Sequence, residues 1–198
     1  MAPCHVTVAA TCTSPGLGQE TVMLMQRTHA CVAAAMLLAG GTQAARAAEA
    51  VPAALQPPAG YTLVFTAKAK GLQVYTSTAE AGAAPKWVLE APVAELAARQ
   101  GAVHHYAGPS WEAADGSKVV RDKDTPVVTV PARKADADIP WLLIKVTADP
   151  AAGALSKVGY VQRLATHGGV APATTPVRTG TKVGVPYTAT YAFFAKAD

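Results

Sequence analysis

His105, Ser110, Glu112 and Asp115 bring an imidazole, a hydroxyl and two carboxylates together within eleven residues, with Trp111 in their midst. These are the ingredients of hydrolysis, so the spacing has to be asked whether it can use them. Gly108-Pro109-Ser110-Trp111-Glu112 begins like a G-x-S-x-G nucleophile turn. Glu112, however, stands where the second glycine must let the chain turn sharply, and no helical pattern follows. Glu112 and Asp115 could act as paired carboxylates on a sugar with Trp111 as a stacking platform, but a three-residue offset does not fix their separation. No catalytic residue is assigned. The same groups suit binding better, and His105, Trp111, Glu112 and Asp115 are read as a ligand-binding surface. Trp111, flanked by Ser110 and Glu112, is its expected exposed aromatic.

Arg163 joins this set. In Val158–Leu164 one face carries Val158, Tyr160, Gln162 and Leu164, and the other carries Val161 and Arg163. If buried, this arginine needs a carboxylate, for which Glu112 or Asp115 are the partners to look for, while an exposed Arg163 fits the sequence equally well. The metal reading rests on His104, His105 and His167, since neutral imidazoles are good ligands for zinc or copper. Adjacent histidines on a strand point to opposite faces, so at most one of His104 and His105 can join His167. No metal and no cofactor is assigned. Gly168-Gly169 lacks the helix a phosphate cradle needs, and no G-x-G-x-x-G stands between a strand and a helix.

The elements that must position these groups read as strands. Tyr61, Leu63 and Phe65 alternate with polar residues, Gly71 opens Leu72–Thr76, and Trp87 and Leu89 alternate in Lys86–Glu90. Asp115-Gly116 is a hairpin dipeptide between Trp111 and Val119-Val120. Val127–Val130, Trp141–Val146, Lys157–Leu164 and the Tyr187–Phe193 alternation complete the series. Only Pro92–Arg99 suggests a helix, with proline in its first turn and Val93, Leu96 and Ala97 on one face. Ala171–Gly180, rich in proline and threonine, reads as a surface loop. Eight to ten strands with one short helix predict an all-β single domain, a β-sandwich or a small barrel.

That domain is expected behind a removable leader. Arg27 and His29 open it, Ala30–Leu38 form an apolar stretch too short to span a bilayer, and Ala45-Arg46-Ala47 is a small-x-small cleavage pattern. Residues 1–22 then read as a non-native or non-folding extension, with Met23 or Met25 as the initiating residue, 23–47 as the signal peptide and 48–198 as the mature domain. Cleavage near Ala47 makes the protein secreted, periplasmic or extracellular. It also removes Cys4, Cys12 and Cys31, all three cysteines of the chain. The polar residues before Cys31 argue against a lipid anchor.

The 198 residues include 44 alanines, so the 51% hydrophobic fraction overstates the core-forming side chains. After cleavage 15 basic residues face 12 acidic ones with no basic stripe, which excludes a nucleic-acid partner. No apolar run is long enough for a membrane-spanning helix. The partners left are a small ligand, a glycan or an envelope protein.

Several clusters carry a resemblance: Gly71-Leu72-Gln73-Val74-Tyr75, Lys86-Trp87, His105-Tyr106-Ala107-Gly108-Pro109-Ser110-Trp111-Glu112 running on to Asp115-Gly116-Ser117, Ile139-Pro140-Trp141-Leu142-Leu143, Gln162-Arg163, and Pro186-Tyr187-Thr188-Ala189. In this order they resemble the DUF3455 family of secreted bacterial and fungal proteins of unknown function. The resemblance covers nearly all of residues 51–195 and implies secretion and one mostly-β domain, with no established catalytic residues. The family pattern also carries a cysteine where Ser77 stands and another near Pro176, so the resemblance implies that a disulfide is absent here. The reading at this point is a secreted, non-enzymatic β protein that binds a ligand or partner. The alternative is a metal-binding or carbohydrate-active enzyme built on the His105–Asp115 hairpin.

Overall fold

A computed structural model describes residues 50–197. Nine strands follow a short 3-10 turn at Ala53–Leu55: β1 (Tyr61–Thr78), β2 (Lys86–Ala98), β3 (Gly101–Tyr106), β4 (Ser110–Ala113), β5 (Lys118–Arg121), β6 (Val128–Val130), β7 (Trp141–Ala148), β8 (Val158–Gly168) and β9 (Lys182–Lys196). All neighbours are antiparallel, in the order β5-β4-β3-β2-β1-β9-β8-β7. Pairing of Val119–Arg121 with Val146–Ala148 brings β5 back onto β7 and closes an eight-stranded barrel. β6 adds to the same edge of β7 further along, opposite Trp141–Leu143. Closure settles the choice between sandwich and barrel, and it removes the sheet edges that would invite pairing with other chains. Among the described residues no helix is long and apolar enough to cross a membrane.

Two local expectations are corrected. Pro92–Arg99 is not helical, and its residues lie along or just past the end of β2. Pro92, Ala94 and Leu96 are buried while Val93, Glu95 and Ala97 are exposed, which is a period of two. The helical grouping of Val93 with Leu96 fails because those two side chains sit on opposite faces. Pro92 is tolerated because β3 pairs only from Ala94 onward, so no neighbour on that side needs its missing N–H. Gly71, likewise, does not begin a new strand. β1 runs through it unbroken, and a side chain there would come within 2.2 Å of the Val93 carbonyl oxygen. Glycine permits this close approach, so the strand bends around the barrel instead of ending.

Strand parity fills the barrel differently towards its two ends. Towards one end Leu96, Val103, Val119, Val161 and Phe193 are all completely buried, with Phe65 stacked on Phe193 at 4.4 Å. Leu155 plugs this end from the loop before β8. The loop is held by the β4–β5 hairpin: Leu155 N–H donates to Ser117 Oγ at 3.0 Å, and Ala154 N–H donates to an Asp115 carboxylate oxygen at 2.8 Å. A second, smaller cluster lies on the outer face of β7, where Trp141 and Leu143 pack under Leu55 and Ala132.

Candidate functional site

Towards the other end the same inward alternation delivers polar and aromatic side chains. His105 of β3 and Trp111 of β4 are register partners and point into the barrel. Their rings stack at 4.5 Å with an interplanar angle of 7°, and Tyr191 of β9 presents its ring edge-on to both. Trp111 is 1% exposed, so the expectation of an exposed aromatic is overturned. Its polar sequence neighbours misled because Ser110 is itself buried at the turn and only Glu112 faces outward. The His105 Nδ1–H donates to the Ser110 carbonyl at 2.9 Å, which leaves Nε2 as the unprotonated nitrogen. Burial holds the imidazole neutral, with its pKa pushed down to about 4 and the nearby Arg163 charge adding to the shift.

Arg163 projects from β8 into this space and is 8% exposed. Its Nε and Nη2 both donate to the Pro140 carbonyl, at 3.3 and 2.9 Å. The expected carboxylate is not there. Glu112, one residue out of phase with Trp111, lies on the outer wall and accepts a 2.6 Å bond from the Tyr106 hydroxyl. Asp115 sits in the hairpin turn at the far end, where bonds from Ser117 and Ala154 hold its carboxyl below the usual range. The other buried polar side chains among the described residues are Gln, Ser, His and Thr, so the guanidinium is buried without an acid. Its positive charge reaches Tyr75, His105, Tyr187 and Tyr191.

The phenols around it are neutral. Burial raises all three, and the Tyr187 and Tyr191 hydroxyls lie 3.3 Å apart. Tyr75 donates to the Gly169 carbonyl at 2.6 Å. That bond ties β1 to a strap across this end, formed where Asp138 bridges to Gly169. Thr166 Oγ1 donates to the Ile139 carbonyl, and Gly168 N–H donates to an Asp138 carboxylate oxygen at 2.7 Å, securing the strap further. Two buried donors in the barrel, Gln73 Nε2 and Trp111 Nε1, have no hydrogen-bond partner, and neither does Arg121 Nε. A buried donor left unmade costs about 1–3 kcal/mol. A cation and spare donors without a buried acid make a lining suited to negative charge.

Gln73, Tyr75, Tyr187 and Tyr191 were not singled out as site residues, although Tyr187 and Tyr191 were read as sharing a strand face. The usable signal was parity: every second residue of β1 and β9 shares the barrel interior with Arg163. The three histidines do not come together. His104 faces outward and pairs with Glu95 at 2.8 Å, while His167 is exposed near Asp138. Among the described residues no group of three His, Cys, Asp or Glu side chains could hold a metal ion.

A model of the family described as "protein of unknown function (DUF3455)" matches residues 57–195. The chain belongs to the DUF3455 family. The matched span takes in every strand of this DUF3455 barrel except the last residue of β9, and both halves of the interior just described. No curated protein and no solved structure matches the chain. The buried Ser77 of this DUF3455 protein hydrogen-bonds the Arg178 carbonyl. A polar contact therefore joins β1 to the 171–181 loop in the region where the family resemblance implied a lost disulfide.

Proposed function

We propose that this is a secreted, non-enzymatic binding protein that takes a small anionic ligand, a carboxylate by preference, at the Arg163 end of its barrel. The observation that carries this reading is the guanidinium of Arg163, buried with no acid to neutralise it. A buried charge is tolerated when it is paired and hydrogen-bonded, and here its partners are neutral ones, the Pro140 carbonyl and the Tyr191 hydroxyl. Arginine's planar fork suits bidentate capture of a carboxylate, and its charge does not titrate away. Gln73 and Trp111 contribute neutral donors to the same lining, and His105, held neutral, adds no competing charge. Export through the leader at residues 23–47 belongs to the proposal as well. Those residues lie outside the described ones, and amino-terminal sequencing of exported protein tests it, with an N-terminus at Ala48 expected.

The ligand reading is tested on purified protein with acetate and benzoate as probes, and acetamide and benzamide as their neutral isosteres. A ligand held only by the native state raises stability by about 2.7 kcal/mol at a hundred times its dissociation constant. The expected result is a saturable rise in melting temperature with at least one carboxylate, accompanied by a change in tryptophan fluorescence from Trp111. Both responses should be lost in Arg163→Met. If carboxylates and amides act alike, or if Arg163→Met responds as the parent does, the reading fails.

A further inference from the structure

The outer wall of the barrel carries a cleft separate from the interior. β8 and β9 pair in regular register from Tyr160–Phe194 to Leu164–Thr190 and resume at His167–Thr188. Between them Ala165 takes a positive φ of 47°, and Thr166 turns away to bond the Ile139 carbonyl. The ladder opens at this bulge. Beside it lies a cleft of 570 Å³ bounded by Lys70, Leu72, His167, Gly168, Pro186 and Thr188. A smaller extension of 290 Å³ shares His167 and Thr188 and continues to Lys68 and Thr190. The volume is in the range that small ligands occupy.

The cleft is divided along its length. Register pairs Leu72 with Pro186 in one outward row, and Val93 of β2 extends that row on the far side of Leu72. Leu72 and Val93 are 39% and 54% exposed, an apolar strip left open to water. One step along, the outward row is Lys70, Thr188 and His167, and the next holds Lys68, which donates to Thr190 Oγ1 at 2.8 Å. The acid opposite Lys70 is Glu95, whose Oε2 meets His104 Nδ1 at 2.8 Å. Lys70 makes no ion pair among the described residues. One end of the furrow offers a free ammonium and hydroxyls, and the other offers aliphatic surface.

We infer that this cleft binds a free straight-chain carboxylate of medium length, with the headgroup at Lys70 and Thr188 and the alkyl chain along Leu72 and Pro186. The inference does not rest on the Arg163 reading, and one experiment separates them. Decanoate is titrated into isotopically labelled protein below its micelle concentration, with decyltrimethylammonium as the opposite-charge probe. The expected result is amide shifts confined to residues 68–72, 165–168 and 186–190, and at least fivefold weaker affinity in Lys70→Glu and in Leu72→Asp. Both positions face outward, so parental melting temperatures are expected, and the map on the parent protein stands without the variants. Shifts at Trp111 that vanish in Arg163→Met would place decanoate inside the barrel and overturn the outer site. Equal binding of decyltrimethylammonium would overturn it too. So would binding to phosphatidylglycerol vesicles with no shift by free decanoate, since the occupant would then be a membrane surface.

Discussion

The two ends of the barrel interior are built from the same strands and obey opposite rules. Around Phe193 and Leu155 every inward side chain is apolar, and the plug that closes the end has its backbone donors satisfied by Asp115 and Ser117. Around Arg163 the inward positions hold a cation, three phenols and an imidazole, and two buried donors go unmet. One end is organised to fold. The other carries buried donors that the protein's own groups leave unpaired, at about 1–3 kcal/mol each. The comparison makes a prediction at each end, and the effects should differ in sign as well as size.

The largest effect belongs to the apolar end. Phe193→Ala removes a fully buried ring and the stack with Phe65, and should cost about 3–5 kcal/mol in urea unfolding. A loss under about 1 kcal/mol would mean that this end is not the core.

Acid comes next, and it acts at the polar end. The folded pKa of His105 is about 4, below its ordinary 6.5, because burial disfavours the imidazolium. Between those values the unfolded chain binds the proton and the folded chain does not, so stability must fall as pH drops from 6.5 to about 4. The loss is complete below about 4, where both states are protonated, and amounts to roughly 3 kcal/mol for one such group. Thermal melts across this window should show the slope in the parent and a flatter line in His105→Gln. An unchanged slope in the variant would assign the acid sensitivity elsewhere.

Ser117→Ala tests how the plug is held. It strips the acceptor from the buried Leu155 N–H, and a loss of about 1–3 kcal/mol is expected, with faster amide exchange at Leu155. If Leu155 exchange is unaffected, the loop is held by packing alone.

How much of this could be read in the residues follows from which interactions are local. The strands were legible because their alternation is carried by single segments, most clearly Tyr187–Phe193. The Asp115-Gly116 hairpin was legible from its turn chemistry, and so was the opposite facing of His104 and His105. Closure was not legible, because it depends on β5 pairing with β7 across the ring, a pairing no single segment encodes. Pro92–Arg99 misled because Val93, Leu96 and Ala97 fit a helical face while Ala94 and Leu96 fit a strand face, and only the neighbouring strands decide. The site was half legible. His105, Trp111 and Arg163 do meet in one space, but as a barrel lining and not as an exposed hairpin surface. Glu112 and Asp115 fall away, the first by parity and the second by lying at the far end. What could not be foreseen was the missing acid, since a buried arginine ordinarily needs one.

Arg163→Met sharpens that last point, and it is the smallest effect. If the guanidinium helped hold the barrel together, its removal should destabilise as the Phe193 variant does. Methionine instead keeps the length and apolar stem, removes an unneutralised buried charge, and gives up bonds to two neutral groups: the carbonyl of Pro140, an exposed residue, and the Tyr191 hydroxyl, which keeps its Tyr187 neighbour at 3.3 Å. Replacing buried charge by apolar side chains of similar volume is often neutral or stabilising. In buffer free of carboxylates the variant should therefore unfold at the parental urea midpoint or gain up to about 1 kcal/mol, while losing the response to acetate or benzoate. A loss of several kcal/mol would make Arg163 a structural residue and dissolve the contrast between the two ends. An unchanged fold with lost anion response would mean that the polar end is kept for what it binds.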